Sequence, residues 1–88
     1  MPYIERSKRP SLDEALEPVL KKIALGREKG EINYMITRIV LAWLRARGQS
    51  YNAISDVKAV LDDVRSEFHD RTMRPYEDKK RAENGDVL

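Results

Sequence analysis

The sequence predicts an all-α fold: a small bundle of three main helices with a short fourth helix at the C-terminal end. Apolar residues recur at spacings of three and four along three segments. Glycines stand where each segment should stop. No stretch alternates apolar and polar residues over a useful length, so no strand is expected.

The first helix is expected from Leu12 to Leu25. Ser11 and Glu14 have the spacing of a capping box, with residues 1 to 10 preceding it as a short basic arm. Leu12, Leu16, Val19 and Ile23 mark one face. Pro18 should kink the helix after its first turn. Gly26 and Gly30 bracket the exit.

The second helix is expected over 31–47, with Gly48 as its stop. Ile32, Ile36, Ile39 and Trp43 form the centre of a wide apolar arc. Met35 lies at one edge, and Val40, Leu44 and Leu41 extend the other. Only Tyr34, Arg38 and Arg45 form a clearly polar stripe. A helix this apolar in a small chain is either wrapped as a central core helix or pressed against another subunit.

The third helix should run from about Ser50 to Met73, with a seam of Ile54, Val57, Leu61, Val64 and Phe68. That seam fits helix 2 or a copy of itself. Asp62, Asp63, Ser66 and Asp70 fill the other side. The residue before a proline avoids helical geometry, so a break or kink is expected at Arg74. Pro75 then opens a last helix from Tyr76 to about Glu83, ending at Asn84-Gly85.

Composition bounds the function. The chain has 88 residues, no cysteine and one histidine. Thiolate chemistry and disulfides are excluded, and a zinc site lacks donors. A core this small calls for reinforcement, and self-association is the natural route. Charged residues make up 36% of the chain, yet the net charge is only +2. Such a mixed surface disfavours simple nucleic-acid binding. No apolar run reaches the ~20 residues of a membrane span. With no signal-peptide pattern at the N-terminus, a soluble cytoplasmic protein is expected.

Two clusters are candidate binding sites. In helix 2, Asn33 and Thr37 are four apart inside the apolar arc, where polar groups need partners. They satisfy one another internally or line a pocket at the helix start, where free N–H groups favour an anion. Beside them, Tyr34 could stack on a planar ring and Arg38 fork onto a phosphate or carboxylate. At the C-terminal end, Arg71, Arg74, Lys79, Lys80 and Arg81 supply cations and Tyr76 a ring. Glu77, Asp78 and Glu83 balance them, with Glu77 and Arg81 spaced as an ion pair. Catalytic signatures are absent. Asp62 and Asp63 are adjacent and diverge on a helix, and His69 reads as a solvated surface residue. The chain is therefore expected to be no enzyme and to need no cofactor.

The segments Gly30-Glu31-Ile32-Asn33-Tyr34 with Ile36-Thr37-Arg38, and Pro75-Tyr76-Glu77-Asp78-Lys79-Lys80 with Glu83-Asn84-Gly85-Asp86-Val87, carry a resemblance. Together they resemble a family of small uncharacterised proteins encoded by phages, prophages and bacteria. The resemblance covers most of the chain, although Leu88 stands where an aromatic residue is expected. It implicates Asn33, Tyr34, Thr37, Arg38, Tyr76, Glu77, Lys79, Lys80 and Asn84, and implies a phage setting without supplying an activity. In that setting two roles are expected. The first is a non-catalytic binder of a small anionic, nucleotide-like ligand, such as an oligomeric sponge for a bacterial immune signal. Its binding residues would be those nine with Arg74. The second is an adaptor or inhibitor docking on a host protein through its charged tail. A DNA-binding reading, using Arg6, Lys8, Arg9 and helix 2, is the weakest.

Overall fold

The computed structural model describes residues 3–88. All regular structure among them is helical. A single-turn 3₁₀ segment, Arg6–Lys8, leads into α1 (Arg9–Ala24). Then come α2 (Lys29–Arg47), α3 (Tyr51–Phe68), a π-helical turn (His69–Met73) and α4 (Arg74–Asn84). The chain divides into two compact units, Tyr3–Val57 and a second containing Lys58–Leu88, with α3 passing from one to the other.

In the first unit, α1 starts two residues before Ser11, so the expected Ser11 cap is not formed. Pro10 lies in the first turn, where its fixed φ suits helix and its missing N–H costs nothing. Ser11 is thereby carried inside the helix. The preceding arm is tied down instead by Arg9, whose guanidinium donates twice to the Ile4 carbonyl at 3.2 and 2.9 Å. α1 continues through Pro18 as one helix. Gly26, at φ +96°, turns the chain out of it.

α2 is capped by a pair that departs from the usual residue preference. The Glu28 side chain accepts from the Glu31 N–H, and the Glu31 carboxylate accepts from the Glu28 N–H at 3.2 Å. Its C-terminal end meets Gly48 at φ +84°, as the sequence predicts. α3 opens with Ser50, whose hydroxyl accepts from the Ala53 N–H at 3.2 Å.

Burial in this unit is sparse. Ala53 is its one fully buried residue among those described. Val19, Ile23, Ile32, Met35, Val40, Leu44 and Val57 are half-buried. Within this unit, α2 is partly wrapped. The edges of its apolar arc are partly covered, but Ile36, Ile39 and Trp43, at the centre, remain 45, 57 and 39% exposed.

In the second unit, of the break or kink expected at Arg74, the break is absent: α3, the π-helical turn and α4 follow one another without a gap. Arg74 is helical, at φ −59° and ψ −48°, against the usual bias before proline. The π-helical turn accommodates it. Its wider i→i+5 pattern closes with the Arg74 N–H on the His69 carbonyl. Pro75 then sits in the first turn of α4, where a missing donor is tolerated. α4 ends at Gly85, φ +88°, whose N–H reaches the Arg81 carbonyl at 2.8 Å. The seam residues of this unit, Leu61, Val64 and Phe68, are exposed. No helix among the described residues is long and apolar enough to cross a membrane.

Candidate ligand sites on α2 and α4

The candidate residues of α2 do not form the inward-facing polar group that their position in the apolar arc suggests. Asn33 and Thr37 are both exposed. The Thr37 hydroxyl donates to the Asn33 backbone carbonyl at 2.7 Å, a bond within the helix that leaves the Asn33 amide out of the pair. Tyr34 and Arg38 do meet. The Arg38 guanidinium donates to the Tyr34 hydroxyl at 2.9 Å, and its central carbon lies 5.8 Å from the ring centroid. Tyr34 is 62% exposed, so the pair presents an aromatic ring with a cation held over it.

The cleft at the start of α2 draws on residues that sequence reasoning missed. A concavity of about 420 Å³ is lined by Lys22, Arg27, Gly30, Glu31, Tyr34 and Met35. The last turn of α1 places Lys22 there, and the loop from α1 to α2 places Arg27. No local motif marks them, although two cations flanking a Gly-Glu helix start are a weak signal. Met35 supplies an apolar wall. Gly30 has no atom within 4 Å of where a Cβ would stand, so space remains there for a ligand or a methyl group. The helix start itself is not a bare anion hole. Its capping box already places two carboxylates on first-turn N–H groups, and Arg27 reaches Glu31 at 3.5 Å. Positive charge in the cleft thus comes from Lys22 and Arg27.

The tail residues form a second, separate site. A hollow of about 700 Å³ in this unit includes Arg74, Glu77, Lys80 and Asn84 from the expected set, with Arg81 and Asp86. One helical face supplies most of them, because positions 74, 77, 81 and 84 are three or four apart. The left-handed Gly85 turns the last residues aside. Asp86 stands 3.9 Å from Arg81, and the Leu88 N–H donates to Asp86 at 3.1 Å. The expected Glu77–Arg81 pair is replaced. Arg81 donates to Asp78 at 2.9 Å, one helical step closer, and Asp86 approaches from the tail. Arg74 pairs with Asp70 at 3.5 Å and Lys80 with Glu83 at 3.4 Å. Lys80 also stands 5.7 Å from the Tyr76 ring centroid, repeating the spacing of Arg38 and Tyr34. Tyr76 and Lys79 are exposed on α4 and do not line the hollow. His69 lines it.

All these ion pairs are well exposed, and each contributes little to stability. Among the described residues, no group of three His, Asp or Glu side chains is placed to hold a metal ion.

No curated protein and no solved structure matches the chain. One family model does, over residues 1–87, nearly its whole length. The chain therefore belongs to the family described as Domain of unknown function (DUF6899).

Proposed function

We propose that this chain is a non-catalytic, cytoplasmic binding protein for a small anionic, nucleotide-like ligand, and that it acts as a homo-oligomer. One observation carries the reading: the cleft at the start of α2 joins the Tyr34 ring to Lys22, and to Arg27 paired with Glu31, beside an apolar wall. Its volume lies within the range of small-molecule sites. A ring that accepts a stacked base, with two cations that oppose phosphate, is a minimal nucleotide recognition set. Arg38 holds the Tyr34 hydroxyl and adds a third cation nearby. In a phage setting, such a protein would sequester a nucleotide signal of bacterial immunity.

Native mass spectrometry after incubation with cyclic and linear nucleotides tests this directly. The wild-type protein should retain a discrete nucleotide mass. The Lys22→Ala/Arg27→Ala and Arg38→Ala variants should lose it while keeping their helical circular dichroism. A wild-type protein that retains no nucleotide from the panel would sink the reading.

A second reading is supported by α4. Arg74, Lys80 and Arg81 each have a carboxylate partner within their own segment. A surface so balanced in charge suits a protein partner better than a free anion. On this reading the chain is a phage adaptor or inhibitor of a host protein. Its test is capture of that partner by the full chain and loss of capture when residues 75–88 are removed.

A further inference from the structure

We infer that the cleft at the start of α2 takes a mononucleotide whose phosphate carries a single charge, a phosphodiester in preference to a polyphosphate, with its ring in the slot that Gly30 leaves beside Tyr34. This rests on the nucleotide reading above and names the class of ligand.

The slot follows from helix geometry. Gly30 and Tyr34 are four apart on α2, and both line the cleft. Helical side chains lean toward the N-terminal end, so the Tyr34 ring leans toward position 30. That position has no side chain, and no atom stands within 4 Å of where a Cβ would be. Arg38 stands over the Tyr34 ring from one turn further along and does not line the cleft. One face of the ring is thus taken, and the other is open to one stacked ring beside the Met35 wall. At about 420 Å³ the cleft is near the lower end of small-molecule sites, a size that suits one nucleotide unit.

The charges select the phosphate. Lys22, Arg27 and Glu31 are the charged residues of the cleft. Glu31 accepts from the Glu28 N–H at 3.2 Å and pairs with Arg27 at 3.5 Å. Arg27 still has N–H groups to offer, but Glu31 balances its charge. The helix start is already capped and adds no anion hole. Among the described residues, no carboxylate lies within ion-pair distance of Lys22. The cleft therefore presents a net single positive charge, that of Lys22. A phosphodiester brings one negative charge and matches it. A terminal phosphate monoester brings roughly two. In a polyphosphate the surplus meets the Glu31 carboxylate, which makes Glu31 the residue that sets the preference.

Titration calorimetry of the full chain with cyclic AMP, cyclic GMP, ATP and GTP at one salt concentration tests this. The wild-type protein should bind a cyclic nucleotide about fivefold more tightly than the triphosphate of the same base, the size of one exposed unit-charge contact in water. Glu31→Gln keeps an acceptor for the Glu28 N–H but releases Arg27, and should reverse that order. Gly30→Leu fills the slot and should abolish binding of all four with helical circular dichroism intact. A wild-type protein that prefers triphosphates, or a Glu31→Gln variant with the wild-type order, overturns the inference and leaves the nucleotide reading standing. Unchanged binding in Gly30→Leu overturns the placement of the ring. A wild-type protein that binds none of the four overturns this inference, and the nucleotide reading falls with it if the wider panel is also not retained.

Discussion

Arg47 and Asp56 lock the turn between α2 and α3: the Arg47 guanidinium donates to the Asp56 carboxylate at 2.6 Å across Gly48. The same guanidinium lies 5.3 Å from the centroid of the Trp43 ring. One side chain thus ties the end of one helix to the start of the next and covers part of an aromatic ring. Both partners are over a third exposed, so solvent screens the pair. Arg47→Ala should cost under about 1 kcal/mol in urea unfolding, and more than Asp56→Asn, because it also uncovers Trp43. Equal losses would show that the ring contact contributes nothing.

Two glycines should respond in opposite directions to the same added methyl group. Gly48 has φ +84° and ψ 141° with open space around it, so Gly48→Ala suffers only backbone strain, about 1–3 kcal/mol. Gly30 lies inside the first turns of α2, also in open space. Gly30→Ala should raise stability by up to about 1 kcal/mol. Thermal unfolding monitored by circular dichroism reads both. If Gly30→Ala also reduces nucleotide retention, the methyl group has entered the cleft.

The Glu28–Glu31 box makes a further prediction. Removing the Glu31 carboxylate leaves the Glu28 N–H without its partner, so Glu31→Ala should cost roughly 1 kcal/mol, and Glu28→Ala less, because the Glu31 N–H keeps the Glu28 carbonyl at 3.1 Å. The double variant should cost less than the sum, because the two bonds hold the same turn. Full additivity in denaturant unfolding would mean that the two bonds act independently.

Pro75 and the π-helical turn should be coupled. Proline removes one donor and crowds the carbonyl four residues back, and the wider turn at His69–Met73 relieves that crowding. Pro75→Ala should let the turn tighten into ordinary α-helix, with slower amide exchange over residues 69–75. Unchanged exchange there would show that the turn has another cause.

Much of the fold was legible along the chain, because helix starts and stops depend on neighbours a few residues away. Gly48 and Gly85 stop their helices where expected, and Pro75 opens α4. The failures were also local, but they were contests between two rules. Pro10 seeded α1 before Ser11 could cap it, Glu28 capped α2 without being a favoured cap residue, and the π-helical turn overrode the bias at Arg74. Membership of an unknown-function family agrees with the resemblance seen in the sequence as far as that family reaches.

The sequence by itself determined the all-α class, most helix ends and the i,i+4 pairings available to Tyr34 and Tyr76, since all of these follow from backbone geometry and spacing. Tertiary structure decided which of those options were used. It left Asn33 and Thr37 facing solvent, gave Arg81 to Asp78 and Asp86 instead of Glu77, and brought Lys22 and Arg27 to Tyr34. Within its own unit it left Ile36 and Ile39, in the middle of α2, exposed. Periodicity shows that a face is apolar. What covers that face depends on how the backbones approach one another, which no local pattern encodes.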